Sequence, residues 1–292
     1  MTLQEVAQAT VNGLLLGGLY AALAVGLSLI LGVLRIVNVA HSAVLIAGAL
    51  VFWQLVNEVG LNPLLAIVPV VAVFYLFGML LHRGIAHRLA READSTVLLA
   101  TFGLLVVIES IVIMIWTTDT RTLRLGPLSG VIRFAELNVP VSRLVASLLA
   151  VVVVLVLHAL LTRTLVGSAI RGISENRDVA TMVGIDVPRL SRHVFAAGIA
   201  LAAFGGTALA LVLPFSPQEH VRWLAWSFLV VIIGGLGSLR NTLLAGLVVG
   251  LIEAFVGSTL PFQYTYLVLY GLLAVGLLVR REGLGGTEAR AI

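Results

Sequence analysis

Most of this chain is taken up by apolar runs of about 20 residues, each long enough to cross a membrane as a helix. The runs fall at 13–34, 37–56, 63–81, 96–116, 139–161, 194–213, 224–239, 243–257 and 264–279, nine candidates of which two are short. The runs on either side of Arg35, and those on either side of Arg240-Asn241, have almost no connecting loop, so either pair can form one broken or re-entrant helix. The pattern predicts an all-α polytopic membrane protein of eight or nine spans. It also predicts a single membrane domain over 1–292, because no stretch at either end is left for a soluble one.

The longest polar interruption is the segment 167–193, GSAIRGISENRDVATMVGIDVPRLSRH. It carries Arg171, Arg177, Arg189 and Arg192, with Arg163 on its left flank, in a chain that is only 11% charged. Arginine of this density beside membrane spans marks a cytoplasmic loop. With that loop inside, alternation of nine spans places Arg35, Arg83, Arg88, Arg91, Arg163, Arg171, Arg177, Arg189, Arg192, Arg240, Arg280, Arg281 and Arg290 on the same side. Arg121, Arg124, Arg133, Arg143 and Arg222 fall outside, so the bias supports an outer N-terminus and an inner C-terminus. The outer loop 117–138, with Asp119, Gly126-Pro127 and Gly130, reads as turn-rich and structured.

Within the polar segment a short helix is expected. Ser174 can cap it, Glu175 and Asp178 suit its positive N-terminal end, and Gly184 can close it before Ile185-Asp186-Val187-Pro188. Such a helix would be about two and a half turns, roughly 14 Å long. Val179, Met182 and Val183 recur at i, i+3 and i+4 and form an apolar face, while Glu175, Arg177 and Asp178 present charge. A small amphipathic helix shown to the cytoplasm is a docking element, so Glu175, Asn176, Arg177, Asp178, Val179, Ala180, Met182, Val183 and Gly184 are expected to couple to a cytoplasmic motor subunit.

Composition narrows the chemistry. The mean hydropathy is +1.11 and 60% of residues are hydrophobic, which excludes a soluble domain. Cysteine is absent, so disulfides and thiolate metal sites are excluded. Lysine is absent as well, so the chain has neither a phosphate-loop lysine nor a Schiff base. The net charge of +4 reflects topology, and nucleic acid is not an expected partner. The first apolar run lacks a basic flank and is too long for a signal-peptide core, so it reads as a retained span. Neither H-E-x-x-H nor a serine-protease turn with a facing histidine occurs, so no enzyme, metal or cofactor is expected.

Polar groups inside the runs are costly in hydrocarbon and are functional candidates by default. Asn38, His41 and Ser42 fall together beside a helix break, which favours a role in a pathway. Glu109 and His158 are isolated and read more simply as packing groups; Glu253 is open to either reading. The glycines Gly17-Gly18, Gly205-Gly206, Gly234-Gly235, Gly237, Gly246 and Gly250 make small-residue faces for close helix contact.

Four segments resemble the permease subunits of branched-chain amino-acid ABC importers of the LivH type. Asn12-Gly13-Leu14-Leu15-Leu16-Gly17-Gly18-Leu19-Tyr20-Ala21-Ala22 looks like that family's first span, and Ile36-Val37-Asn38-Val39-Ala40-His41 is similar to its asparagine-histidine signature. Arg171, Glu175-Asn176, Ala180 and Gly184-Ile185 resemble its cytoplasmic coupling segment. Gly234-Gly235-Leu236-Gly237-Ser238 with Gly246, Gly250 and Glu253 is similar to its late glycine-rich signature. Two positions depart: Ser42-Ala43 follows the histidine where the family commonly has Gly-Glu, and Arg240-Asn241 stands where glycine or proline is expected.

The resemblance implies a transport subunit with no cofactor and no catalytic residue of its own. Its implied partners are cytoplasmic ATP-binding subunits, a second homologous permease, an extracytoplasmic substrate-binding protein, a small-molecule amino acid and membrane lipid, in a bacterial inner membrane. The implied translocation pathway comprises Asn38, His41, Ser42, Gly234, Gly235, Gly237 and Glu253. A rival expectation is an ion-coupled secondary transporter using Glu109 or Glu253 as its intramembrane carboxylate.

Overall fold

A computed structural model describes residues 2–86, 93–134, 137–235 and 237–279. Arg88, Arg91, Arg280, Arg281, Arg290 and Leu236, used above for orientation and resemblance, lie outside the described residues. The helices are α1 (Leu3–Leu34), α2 (His41–Asn57), α3 (Pro63–Leu81), α4 (Asp94–Trp116), α5 (Val141–Arg163), α6 (Leu165–Glu175) and α7 (Arg177–Met182). They continue as α8 (Val187–Val212), α9 (His220–Gly234), α10 (Leu239–Thr259) and α11 (Phe262–Val279). The all-α expectation holds with one addition: the outer loop contains a small antiparallel pair, β1 (Val131–Phe134) and β2 (Leu137–Pro140), in register Val131↔Pro140 to Phe134↔Leu137.

Each of the nine apolar runs contains a helix, and among the described residues six are long and apolar enough to cross a membrane: α1, α3, α4, α5, α8 and α10. The core is α1 packed on α8. Both are buried on nearly every face, which is why neither needs an apolar stripe. α1 begins with a capping box in which Thr2 and Glu5 satisfy each other's backbone N–H groups. α3, α4 and α5 instead expose rows of large apolar side chains such as Leu76, Phe102 and Leu155, the surface suited to lipid.

Close packing rests on small residues. A Cβ on Gly250 would lie 2.3 Å from Gly17 N and 2.4 Å from Gly13 O, so α10 and α1 meet backbone to backbone. α8 does the same to α2, where a Cβ on Gly206 would stand 2.0 Å from Leu45 O. In hydrocarbon these approaches replace the missing hydrophobic drive with dispersion contact.

Long-range hydrogen bonds sort the helix ends into two groups. At one end Gln8 of α1 exchanges bonds with Asn138 (3.0 and 2.9 Å), Trp53 and Asn57 of α2 donate to Thr122 O (3.1 Å each), and Arg121 pairs in β-fashion with Phe215 beyond α8. At the other end Arg35 donates to Ser174 O (3.1 Å), and Tyr75 of α3 meets His193 of α8 (2.6 Å). The loop 117–138 and the segment 167–193 therefore sit at opposite ends, as alternation over nine runs requires. Single cysteines at Ser129 and Glu175, both exposed, are expected to react with an impermeant maleimide from opposite sides of oriented vesicles. Reaction of both from one side would overturn this topology.

The run expected at 37–56 forms a helix only from His41. Residues 36–40 are non-helical, and His41 Nε2 lies 2.8 Å from Leu23 O. Leu23 precedes the end of α1 by roughly 11 residues, or about 16 Å of helix rise. The chain thus leaves α1, runs back beside it without helical structure, turns at residues 39–40, and starts α2 with the side chain of its first residue against Leu23. The other broken junction lies between Gly235 and Ser238 and ends two residues before the predicted Arg240-Asn241 position, because Ser238 caps α10 by accepting from Asn241 N.

The polar segment also differs in detail. Ser174 does not cap the short helix; its Oγ donates to Arg171 O, 2.7 Å away, and Glu175 ends α6. Asn176 is the cap, accepting from Asp178 N (3.0 Å) and Val179 N (3.1 Å). An Asn side chain reaches two residues ahead, where the serine would lie inside the preceding helix. The single helix of two and a half turns becomes α6 and the six-residue α7, separated at Asn176.

Candidate translocation pathway and coupling surface

The break at residues 36–40 is held open by specific contacts. Arg35 caps α1 with φ at 56°, a left-handed conformation that costs a non-glycine residue about 1–3 kcal/mol. Its N–H bond to Leu31 O and its guanidinium bond to Ser174 O (3.1 Å) hold it there. Further along, Val39 N donates to Thr101 Oγ1 of α4 (3.4 Å), and that hydroxyl sits 3.2 Å from Val37 O. These supply what a helix would otherwise give the backbone inside hydrocarbon.

Asn38 sits in this stretch, not on a helix, so it does not share a helical face with His41. A turn joins them instead, with His41 N donating to Asn38 O at 3.2 Å. Asn38 is 1% exposed, and neither its Oδ1 nor its Nδ2 has a hydrogen-bond partner. His41 is fully enclosed. Because the Leu23 carbonyl can only accept, Nε2 carries the proton, and Nδ1 is left as an acceptor with no partner. Ser42 is also buried, its Oγ 3.5 Å from Val39 O. Opposite them, Ser227 of α9 bonds Trp223 O (2.8 Å) and approaches the same Leu23 carbonyl at 3.3 Å. A buried unpaired polar group costs about 1–3 kcal/mol, so Asn38 is a place where stability has been given up.

The glycines of the second break lie nearer the end of α1 that meets Ser174. Gly235 and Gly237 both have φ at 87°. A Cβ on Gly237 would stand 2.6 Å from Gly32 Cα, and one on Gly234 would stand 2.9 Å from the backbone of Asn241. α1 at Gly32 therefore touches this junction directly. Close by, Thr242 donates to Ser28 Oγ at 2.9 Å.

Glu253 lies toward the outer end. Tyr20 of α1 donates to Glu253 Oε2, and the Tyr20 ring meets Trp226 edge-on with centroids 6.2 Å apart. Glu253 lines a cavity of about 740 Å³ between α1, α5, α10 and α11. The proposed pathway residues thus form three stations along one helix, beside Tyr20, Leu23 and Gly32 of α1, and not one cluster. Glu109 is elsewhere: it pairs with His220 at 3.4 Å near the outer end of α4.

At the arginine-rich end α7 buries one residue. Ala180 joins Ile173 and Val187 in a small buried cluster, while Val179, Met182 and Val183 are 52%, 83% and 71% exposed. Gly184 closes the helix at φ 87° with nothing near its Cβ position. Arg177 reaches Ser191 Oγ of α8 at 3.4 Å and helps anchor α7. Beside it, Leu165, Val166, Ile185 and Leu190 line an apolar groove of about 360 Å³.

Sequence reading missed Arg35, Thr101, the Leu23 carbonyl and Tyr20, each of which acts through a partner more than a dozen residues away. For Arg35 a signal existed, since it is the one charged residue between two apolar runs.

Comparison with known proteins identifies the family. Residues 9–278 match the family described as branched-chain amino acid transport system / permease component. The chain is 27% identical to the high-affinity branched-chain amino acid transport system permease protein BraD of Pseudomonas aeruginosa, over 96% of this chain and 95% of that one. It is 24% identical to the permease protein LivH of the same kind of system in Escherichia coli, over 94% of each. A probable LivH of Methanocaldococcus jannaschii is 23% identical, over 95% of this chain and 91% of that one. No solved structure matches the chain. With nearly its whole length matched and its apolar helices in place, this multi-pass membrane protein belongs to the family of branched-chain amino acid transport permease components.

Proposed function

We propose that the chain is the permease subunit of an ATP-driven importer of branched-chain or related amino acids in a bacterial inner membrane, coupled to separate ATPase subunits. The observation that carries this reading is the apolar tip of α7, three large side chains exposed at the arginine-rich end. Buried in a groove of a cytoplasmic partner, they would contribute roughly 1.5–3 kcal/mol each. A helix laid in a groove is a recurrent mode of such docking. A second homologous permease completes the channel, and an extracytoplasmic binding protein delivers substrate to the outer end.

The route from ATP to substrate runs through Arg35. Its guanidinium holds Ser174, at the end of α6, and its backbone begins the extended stretch that carries Asn38. Movement of α6 and α7 by the closing motor pair would pull on this stretch and change what Asn38 and His41 present to the pathway. The glycine junction 234–237 against Gly32 gives α1 a second contact that can slide without displacing side chains. Under the ion-coupled reading α7 would have no partner, and its exposed side chains would serve nothing.

Gly184→Val and Asp178→Arg test the coupling. Valine at φ 87° costs about 1–3 kcal/mol, and arginine in the first turn opposes the helix dipole by about 0.3–1 kcal/mol. Uptake by vesicles holding the complete transporter is expected to fall severalfold in both variants, with insertion unchanged. Normal uptake by both would remove α7 from the coupling path.

A further inference from the structure

The outer cavity contains chemistry that neither packing nor coupling uses. Its volume, about 740 Å³, falls within the roughly 300–1,000 Å³ typical of small-molecule sites. α1 forms its floor at Asn12 and Leu16, α5 supplies Arg143 to one wall, and α10 supplies Glu253 to another. The two walls flank α1 from different sides. Ser147, one turn along α5 from Arg143, packs on Gly18, whereas Gly250, one turn before Glu253, packs on Gly13 and Gly17.

Of the charged groups that line the cavity, Glu5 accepts from Thr2 N at 2.9 Å, whereas Arg143 and Glu253 are available. Among the described residues Arg143 takes part in no ion pair, and Glu253 is held by the neutral Tyr20 hydroxyl alone. The nearby cation Arg222 is committed to Glu219 at 3.5 Å and to the ring of Trp223 at 4.7 Å. Thr265 of α11, 2% exposed, lines the same cavity with an Oγ1 that has no hydrogen-bond partner.

We propose that this cavity receives the α-amino-acid zwitterion, with Glu253 binding the ammonium, Arg143 binding the carboxylate, and Thr265 bonding one of the two. This rests on the importer reading above and deepens it. A guanidinium matches a carboxylate in geometry as well as charge, and a carboxylate already oriented by Tyr20 is preorganised for an ammonium. The apolar side chain would lie along Leu16 and Ala254, which need no polar partner. Ligands lacking either charge leave one half-buried charged group without its partner and bind more weakly, so the site selects amino acids over plain amines and acids.

The test uses the lack of native cysteine. Ser258→Cys places one thiol on the cavity wall. In vesicles carrying the permease with its ATPase subunits, L-leucine should slow its reaction with an impermeant maleimide, about tenfold when leucine stands at about ten times its Kd. Isoamylamine and isocaproate, leucine without its carboxylate and without its ammonium, should protect poorly. Adding Glu253→Gln should erase leucine's advantage over isocaproate, and adding Arg143→Gln its advantage over isoamylamine. A merely structural Glu253 would alter all three ligands alike. Failure of leucine to protect, unchanged discrimination in both variants, or protection by the binding protein alone would each overturn the proposal. The importer reading fails separately, if complete wild-type vesicles given ATP and binding protein take up no branched-chain amino acid.

Discussion

Gly250→Leu is expected to abolish accumulation of folded protein. The clash is with the N of Gly17 and the O of Gly13, at 2.3 and 2.4 Å from the new Cβ, and neither atom can rotate away. Overpacking a core costs about 1–3 kcal/mol when side chains can shift; here a helix must move, so the cost lies at or beyond the top of that range. Separation of α10 from α1 would also break the Tyr20–Glu253 bond and the Thr242–Ser28 bond. Gly103→Leu is the matched control, because nothing lies within 4 Å of a Cβ there and α4 gains from a better helix former by about 1 kcal/mol. The yield of monodisperse protein after extraction, with its thermal stability, checks both. Equal yields of the two variants would contradict the close approach of α1 and α10.

Asn38 should show the opposite relation between stability and activity. Its amide makes no hydrogen bond, so Asn38→Ala removes buried polar atoms and should raise stability by about 1 kcal/mol or more. Uptake per folded complex is expected to fall about tenfold or more, equivalent to about 1.4 kcal/mol at the barrier. His41→Leu should also impair uptake, but with some loss of stability, because the bond from its Nε2 to the Leu23 carbonyl is lost in a fully enclosed site. Thermal melting and ATP-driven uptake of the same preparations check this. If Asn38→Ala destabilises the protein and leaves specific uptake intact, the residue belongs to packing and not to the pathway.

The contrast between Asn38 and Gly250 shows how far sequence reading reached. Both stood out as residues of the wrong kind for their surroundings, a polar group in hydrocarbon and a helix breaker inside a helix. Which atoms they meet was not legible, since Gly250 meets residues more than 230 positions away. In the polar segment the apolar triad Val179, Met182 and Val183 was read from spacing, and all three side chains are exposed. The cap was misplaced from Asn176 to Ser174, because helix ends depend on a local competition between two good capping residues that spacing cannot decide.

That this chain crosses a membrane repeatedly, and that its helices break beside Arg35 and shortly before Arg240, was legible in the chain, and arginine placement added an expected orientation. Those properties follow from transfer free energy, arginine placement and the backbone limits of proline, glycine and polar residues, all of which act locally. The tertiary structure was needed to show that α1 is the common strut, that α2 begins with His41 against Leu23, and that Arg143 and Glu253 line one cavity. Those facts depend on which helices touch. In hydrocarbon that choice is made by shape and by buried hydrogen bonds between distant residues, and a linear pattern of apolar and polar positions does not encode it.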